Sequence, residues 1–148
     1  MSKNLDIDGI EDVLIETTRG LGLFKMVESA LKDDLPETRV YPAAFWYLVS
    51  AVDQGVKSRS VYLNTYEVTI VNKTLKGATQ GKRLAEAKKS MYELIKAVRD
   101  AVVHMSLGID NIEKFSGGNV LLVDYVEGEI SYAVNFSCRH FLPVPAEG

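Results

Sequence analysis

Between Gln80 and Met105, apolar positions recur at alternating three- and four-residue steps through Leu84, Ala87, Met91, Leu94, Val98, Ala101 and Met105. That spacing gathers them into one stripe of a long amphipathic helix. The rhythm then changes to period two. Across Ile130 to Cys138, the residues Ile130, Tyr132, Val134, Phe136 and Cys138 alternate with Glu129, Ser131, Ala133, Asn135, Ser137 and Arg139. This is the pattern of a strand with one face in a core and the other in water. Val120 to Val126 supplies a hairpin partner across a Glu127-Gly128 turn.

Upstream, Asp8 to Gly20 opens with an acidic turn, sets Ile10, Val13, Leu14 and Thr17 on one face and ends at a glycine, which reads as a helix. The spacing of Phe24, Val27 and Leu31 predicts a second short helix over Leu23 to Lys32, stopped by Asp33-Asp34-Leu35-Pro36. Pro42 heads a nearly continuous apolar run, Ala43 to Val49, expected as a strand buried on both faces or at an interface. After the polar stretch Asp53 to Ser60, Val61 to Asn72 alternates, with Tyr62, Tyr66, Val68 and Ile70 on one face and Thr65, Glu67 and Thr69 on the other. Asn72 to Gly81 and the glycine-containing Ser106 to Gly118 read as connections. The tail Leu142 to Gly148 is expected to be extended or frayed. The order helix, helix, strand, strand, helix, strand, strand predicts an α+β fold: an antiparallel four-stranded sheet with one long and one or two shorter helices packed on it.

At 148 residues, 47% hydrophobic and 25% charged, the chain suits a single domain over 1–148 with one core. No apolar run approaches the roughly 20 residues of a membrane span, so no membrane partner is expected. Met1 to Asp12 is acidic where a secretory signal is basic and then apolar, which points to the cytosol. A lone cysteine, Cys138, excludes an intramolecular disulfide and a cysteine-rich zinc site.

Charge is distributed unevenly. Residues 1–72 carry 7 basic and 11 acidic side chains, residues 73–99 carry 8 and 2, and residues 100–148 carry 2 and 7. The basic middle contains Lys73, Lys76, Lys82, Arg83, Lys88, Lys89, Lys96 and Arg99. It could serve as a nucleic-acid footprint, as an interface for an acidic neighbour or simply as a solvated face.

Candidate chemistry is sparse. Cys138 and His140 sit two apart and share one side of a strand, the layout of an activated thiolate or half a metal site. Yet Cys138 continues the apolar row from Ile130, and His104 is the only other histidine. His104 falls at the end of the long helix, where a capping role fits better than catalysis. Gly77-Ala78-Thr79-Gln80-Gly81-Lys82-Arg83 resembles an anion loop entering a helix, but Arg83 stands where a P-loop needs Ser or Thr. The neighbouring acids Glu11-Asp12 and Asp33-Asp34 point in different directions on a helix and make no acid–base pair. Trp46 and Tyr47 fall on alternate faces of one strand, so one large ring requires cover from a helix or from another subunit.

Several landmarks together resemble a known family. The Ile10-Glu11-Asp12 helix, the Val40-Tyr41-Pro42-Ala43 approach to the first strand, the Tyr66-Glu67-Val68 strand, the basic connection, and the Tyr92-Glu93-Leu94-Ile95 helix with Val98 look like the Mu-type tail proteins of contractile-tailed phages and prophages. That family is similar in fold to tail terminators. The resemblance implies a structural protein with no active site and no cofactor or metal. It implies self-assembly into a six-membered ring on the finished tail tube, which ends tail growth and offers the surface that the head connector joins. It also implies residence in the host cytoplasm during assembly and then in the virion tail. The expected partners are further copies of the chain, the tail tube protein, the head–tail connector and, without sequence preference, DNA in the lumen. Lys73, Lys76, Lys82 and Arg83, with Trp46 and Tyr47, are the expected assembly contacts.

Two rivals remain at this level. A sequence-nonspecific nucleic-acid-binding module would use the basic 73–99 region with Tyr62 or Tyr66 as stacking platforms. A small enzyme would need Cys138, His140 or His104 in a pocket.

Overall fold

The computed structural model describes residues 4–55, 60–74, 80–126 and 128–142, with the side chains of 80–84, 126 and 142 outside that description. In chain order the elements are α1 (Ile7–Gly20), β1 (Met26–Ser29), β2 (Ala43–Asp53), β3 (Ser60–Lys73), α2 (Gln80–Val102), β4 (Ser116–Val126) and β5 (Glu129–Leu142). The strands form one five-stranded sheet in the order β1-β2-β3-β5-β4. The α+β class agrees with the sequence, but the sheet is mixed, because β1 runs parallel to β2 while the other pairs are antiparallel. The second helix expected over Leu23 to Lys32 is replaced by this edge strand. Of its three spaced apolar residues only Val27 is fully buried, and Leu31 is exposed. Two turns of helix with so thin a stripe gain less than a strand that pairs with β2.

Both helices pack on one face of the sheet. That face is built from Ala44 and Trp46 of β2, Tyr66, Val68 and Ile70 of β3, and Ile130, Tyr132, Val134, Phe136 and Cys138 of β5. The register sets Trp46 opposite Val68 and Val68 opposite Val134, so the rows run unbroken across three strands. α1 supplies Ile10, Leu14 and Ile15; α2 supplies Ala87, Met91, Leu94, Ile95, Val98 and Val102. Asp6 caps α1 by accepting a hydrogen bond from the Gly9 amide at 2.8 Å. α2 ends sooner than its stripe predicts. His104 takes φ 66°, its amide donates to the Phe115 carbonyl at 2.8 Å, and Met105 is left exposed.

Part of the opposite face, over β2 and β3, is covered by chain without regular structure. Ala43, Phe45 and Val71 lie buried there beneath Ala30, Leu35 and Tyr41, with Met26 beside them. The segment between β1 and β2 is fastened to this face by two carboxylates. Glu129 receives Arg39 Nε at 3.1 Å and Arg39 Nη2 at 2.6 Å, and also accepts from the Tyr41 hydroxyl. Glu67, 4% exposed, accepts from the Tyr47 hydroxyl and has Lys32 Nζ at 3.6 Å. A buried carboxylate such as Glu67, and to a lesser degree the half-buried Glu129, holds only while its partners stay in place.

Candidate functional site

Trp46, expected as a contact for a neighbouring copy, is closed inside the subunit's own core. Its ring is 0% exposed, tilted against Phe136 at 5.6 Å, and its Nε1 donates to Thr18 Oγ1 at 2.9 Å. Burying such a ring contributes on the order of 2–3 kcal/mol to folding and leaves nothing for a partner. Tyr47 does lie on the opposite face, half-buried, with its hydroxyl donated to Glu67. Burial, then the Glu67 carboxylate, pushes its pKa well above the ordinary tyrosine value. Lys73 is exposed at the end of β3. Lys76 lies outside the described residues, as do residues 77–79 of the Gly77–Arg83 anion-loop candidate, and so do the side chains of Lys82 and Arg83.

Cys138 and His140 share the helix side of β5, as their spacing requires. Burial pushes the Cys138 thiol up to about 12, so it stays protonated and unreactive at neutral pH. His140, fully buried, belongs to a tether. Its Nε2 lies 2.8 Å from the Leu5 carbonyl oxygen and 3.1 Å from Asn111 Nδ2, and its Nδ1 lies 3.1 Å from Asn64 Nδ2. Asn111 also grips Leu5, accepting from the Leu5 amide and donating to the Leu5 carbonyl, both at 2.9 Å. The Tyr66 hydroxyl donates to the Ile7 carbonyl at 3.1 Å. These groups hold the segment before α1 against the end of the sheet. Tyr66 is thereby buried and presents no stacking platform, whereas Tyr62 is half-buried. Among the described residues no group of three or more His, Cys, Asp or Glu could hold a metal ion, and no helix is long and apolar enough to cross a membrane.

The unmatched chemistry of the chain lies on its outside. β4 is a sheet edge, and every residue from Ser116 to Asp124 is exposed. Four of them, Val120, Leu121, Leu122 and Val123, are apolar and consecutive, and Leu121 and Leu122 are each 51% exposed. Register with β5 points Val120 and Leu122 toward the helix side, opposite Val134 and Tyr132, and Leu121 toward the back, opposite Ala133. α2 lies over β3 and β5, and its Arg99 reaches only the start of β4, 3.4 Å from the Gly118 carbonyl. Along α2, Ala85, Lys88, Lys89, Tyr92, Glu93 and Lys96 line an open groove of about 490 Å³. Tyr92 stands edge-on to Tyr132 at 6.0 Å. Such a long apolar edge strand is of the kind that isolated soluble domains blunt. The pattern was present in the sequence as an unbroken run where a half-buried strand alternates.

The fold these elements define is a mixed five-stranded sheet with two helices on one face and an exposed strand, β4, at one edge. No protein-family model matches the chain, and no curated protein does. Among solved structures, a chain from the virion of a native gene transfer agent particle has the same fold, with TM-score 0.60 and 12% identity over 94% of this chain and 100% of the other.

Proposed function

We propose that the chain is a structural component of a virion, of the tail-terminator kind: a subunit that closes into a ring on the end of a tail tube, stops its growth and presents the surface to which the head connector joins. The observation that carries this reading is the end-to-end fold similarity to a chain of the gene transfer agent virion, which covers the whole of that chain. The exposed β4 edge supports it, because an apolar edge strand exposed over Ser116–Asp124 offers a surface that contact with another protein would cover. In this reading the chain has no active site, and its partners are further copies of itself, the tube protein and the connector.

A second reading is favoured by one feature, the row Lys88, Lys89 and Lys96 beside exposed Tyr92, which fits phosphate and base contacts of a sequence-blind kind. Salt-sensitive binding of the isolated chain to DNA would support it. The principal test is genetic: deleting the gene from a complete particle-encoding cluster is expected to yield tails of uncontrolled length without heads. Tails of normal length joined to heads would contradict the assignment.

A further inference from the structure

The two edges of the sheet differ in charge and match in apolar character. The β4 edge carries the apolar run Val120–Val123 and α2 carries Lys88, Lys89 and Lys96; the two elements approach through Arg99, 3.4 Å from the Gly118 carbonyl, and through Tyr92, edge-on to Tyr132, which pairs with Leu122. At the β1 edge lies α1, which contacts β1 and β2. α1 exposes Asp8, Asp12 and Glu16, and Asp12 and Glu16 rim a groove of about 590 Å³ with Leu5 and Val13 in its lining. Burial, and to a lesser degree the neighbouring charges of Asp8 and Asp12, raises the pKa of half-buried Glu11 on the same helix against the hydrogen bond from Ser29. β1 is flanked by exposed Leu23 and Leu31, at 45% and 57%. One flank is therefore apolar and basic, the other apolar and acidic, and the strand order puts them at opposite ends of the sheet.

From this we infer that a second copy of the chain occupies the β4 edge: β4 and the basic stripe of α2 in one copy dock on the α1–β1 flank of the next. The occupant follows from charge complementarity, since the acidic surface that suits the basic stripe is carried by the chain itself. Contact between unlike flanks at opposite edges is heterologous, so each copy has one flank of each kind to offer and the contact propagates until it closes. β4 has the length for it: 11 residues at about 3.3 Å each span about 36 Å, enough for one side of a standard interface. The inference rests on the proposed ring and assigns its contact surface.

Charge reversal tests it in full-length protein. One variant carries Lys89→Glu and Lys96→Glu, the other Asp12→Lys and Glu16→Lys; all four residues are exposed, and circular dichroism and melting confirm that the variants fold. By sedimentation velocity the wild type is expected to form a closed oligomer. Each variant alone is expected to associate at least about tenfold more weakly, and an equimolar mixture to recover the oligomer, because each reversed flank then meets its complement on the other chain. A third variant, Leu121→Ser with Leu122→Lys, is expected to stay dissociated in every mixture. Oligomers that persist in each separate variant overturn this contact and leave the ring reading standing. Folded variants that fail to recover on mixing, or that still form rings but no longer bind tube, overturn the second copy as occupant. A wild type that is monomeric at all concentrations overturns the ring itself.

Discussion

Trp46 Nε1 donates a hydrogen bond of 2.9 Å to Thr18 Oγ1, which in turn donates to the Leu14 carbonyl at 2.8 Å. This buried chain joins the middle of β2 to the last turn of α1. Thr18→Val keeps the shape but strands the indole N–H, so stability is expected to fall by about 1–3 kcal/mol, with no change in oligomeric state. Urea denaturation followed by tryptophan fluorescence measures the loss, since Trp46 is the only tryptophan.

The segment between β1 and β2 depends on Glu67 and Glu129. Arg39→Ala leaves half-buried Glu129 with the Tyr41 hydroxyl as its remaining side-chain partner, and is expected to cost about 2–4 kcal/mol. Tyr47→Phe leaves Glu67 with Lys32, at an expected cost of about 1–3 kcal/mol. Hydrogen exchange should show the Arg39→Ala loss concentrated in residues 30–42.

Alkaline pH should weaken the fold through the thiol. The folded pKa of Cys138 is raised from 9.0 to about 12, so above pH 9 the unfolded chain binds fewer protons than the folded one. The stabilising difference is intact below pH 9 and is lost as pH climbs toward 12. Denaturation at pH 8, 9 and 10 is expected to show a decline that Cys138→Ala makes shallower, although that variant starts less stable at pH 8. Iodoacetamide should label the native thiol only at the rate of unfolding.

Two neighbouring glycines at the start of β4 should respond differently. A Cβ at Gly118 would sit 3.2 Å from the Asn135 carbonyl oxygen and 3.1 Å from Asn135 Cβ, within a paired strand that cannot move. At Gly117 the nearest atom, at 2.9 Å, is the guanidinium end of Arg99, which can swing away. Gly118→Ala is therefore expected to lower the melting temperature more than Gly117→Ala.

Much of the scaffold was legible because its signals are periodic. The rows Ala87–Val98 and Ile130–Cys138 are buried where their three-four and two-residue rhythms placed them. Even His140 could have been read as the next member of the β5 row. The edge strand Met26–Ser29 was not legible, because a four-residue strand has too short a pattern to compete with chance helical spacing and forms only through its parallel pairing with β2. Nor was the cover of the back face, since residues 30–42 have no periodicity and are held by single polar contacts. The candidate surface was half legible. Charge segregation marked α2, but Trp46 drew attention as a large ring on a strand, and whether such a ring turns inward depends on Thr18 and Phe136, far away in sequence.

The most direct test of a role carried by outer faces is the position of the chain in assembled particles. Electron microscopy of particles in which the chain carries a small tag, with gold labelling, is expected to place it in a single layer at the head-proximal end of the tail. Label absent from particles, or spread along the length of the tail, would contradict it.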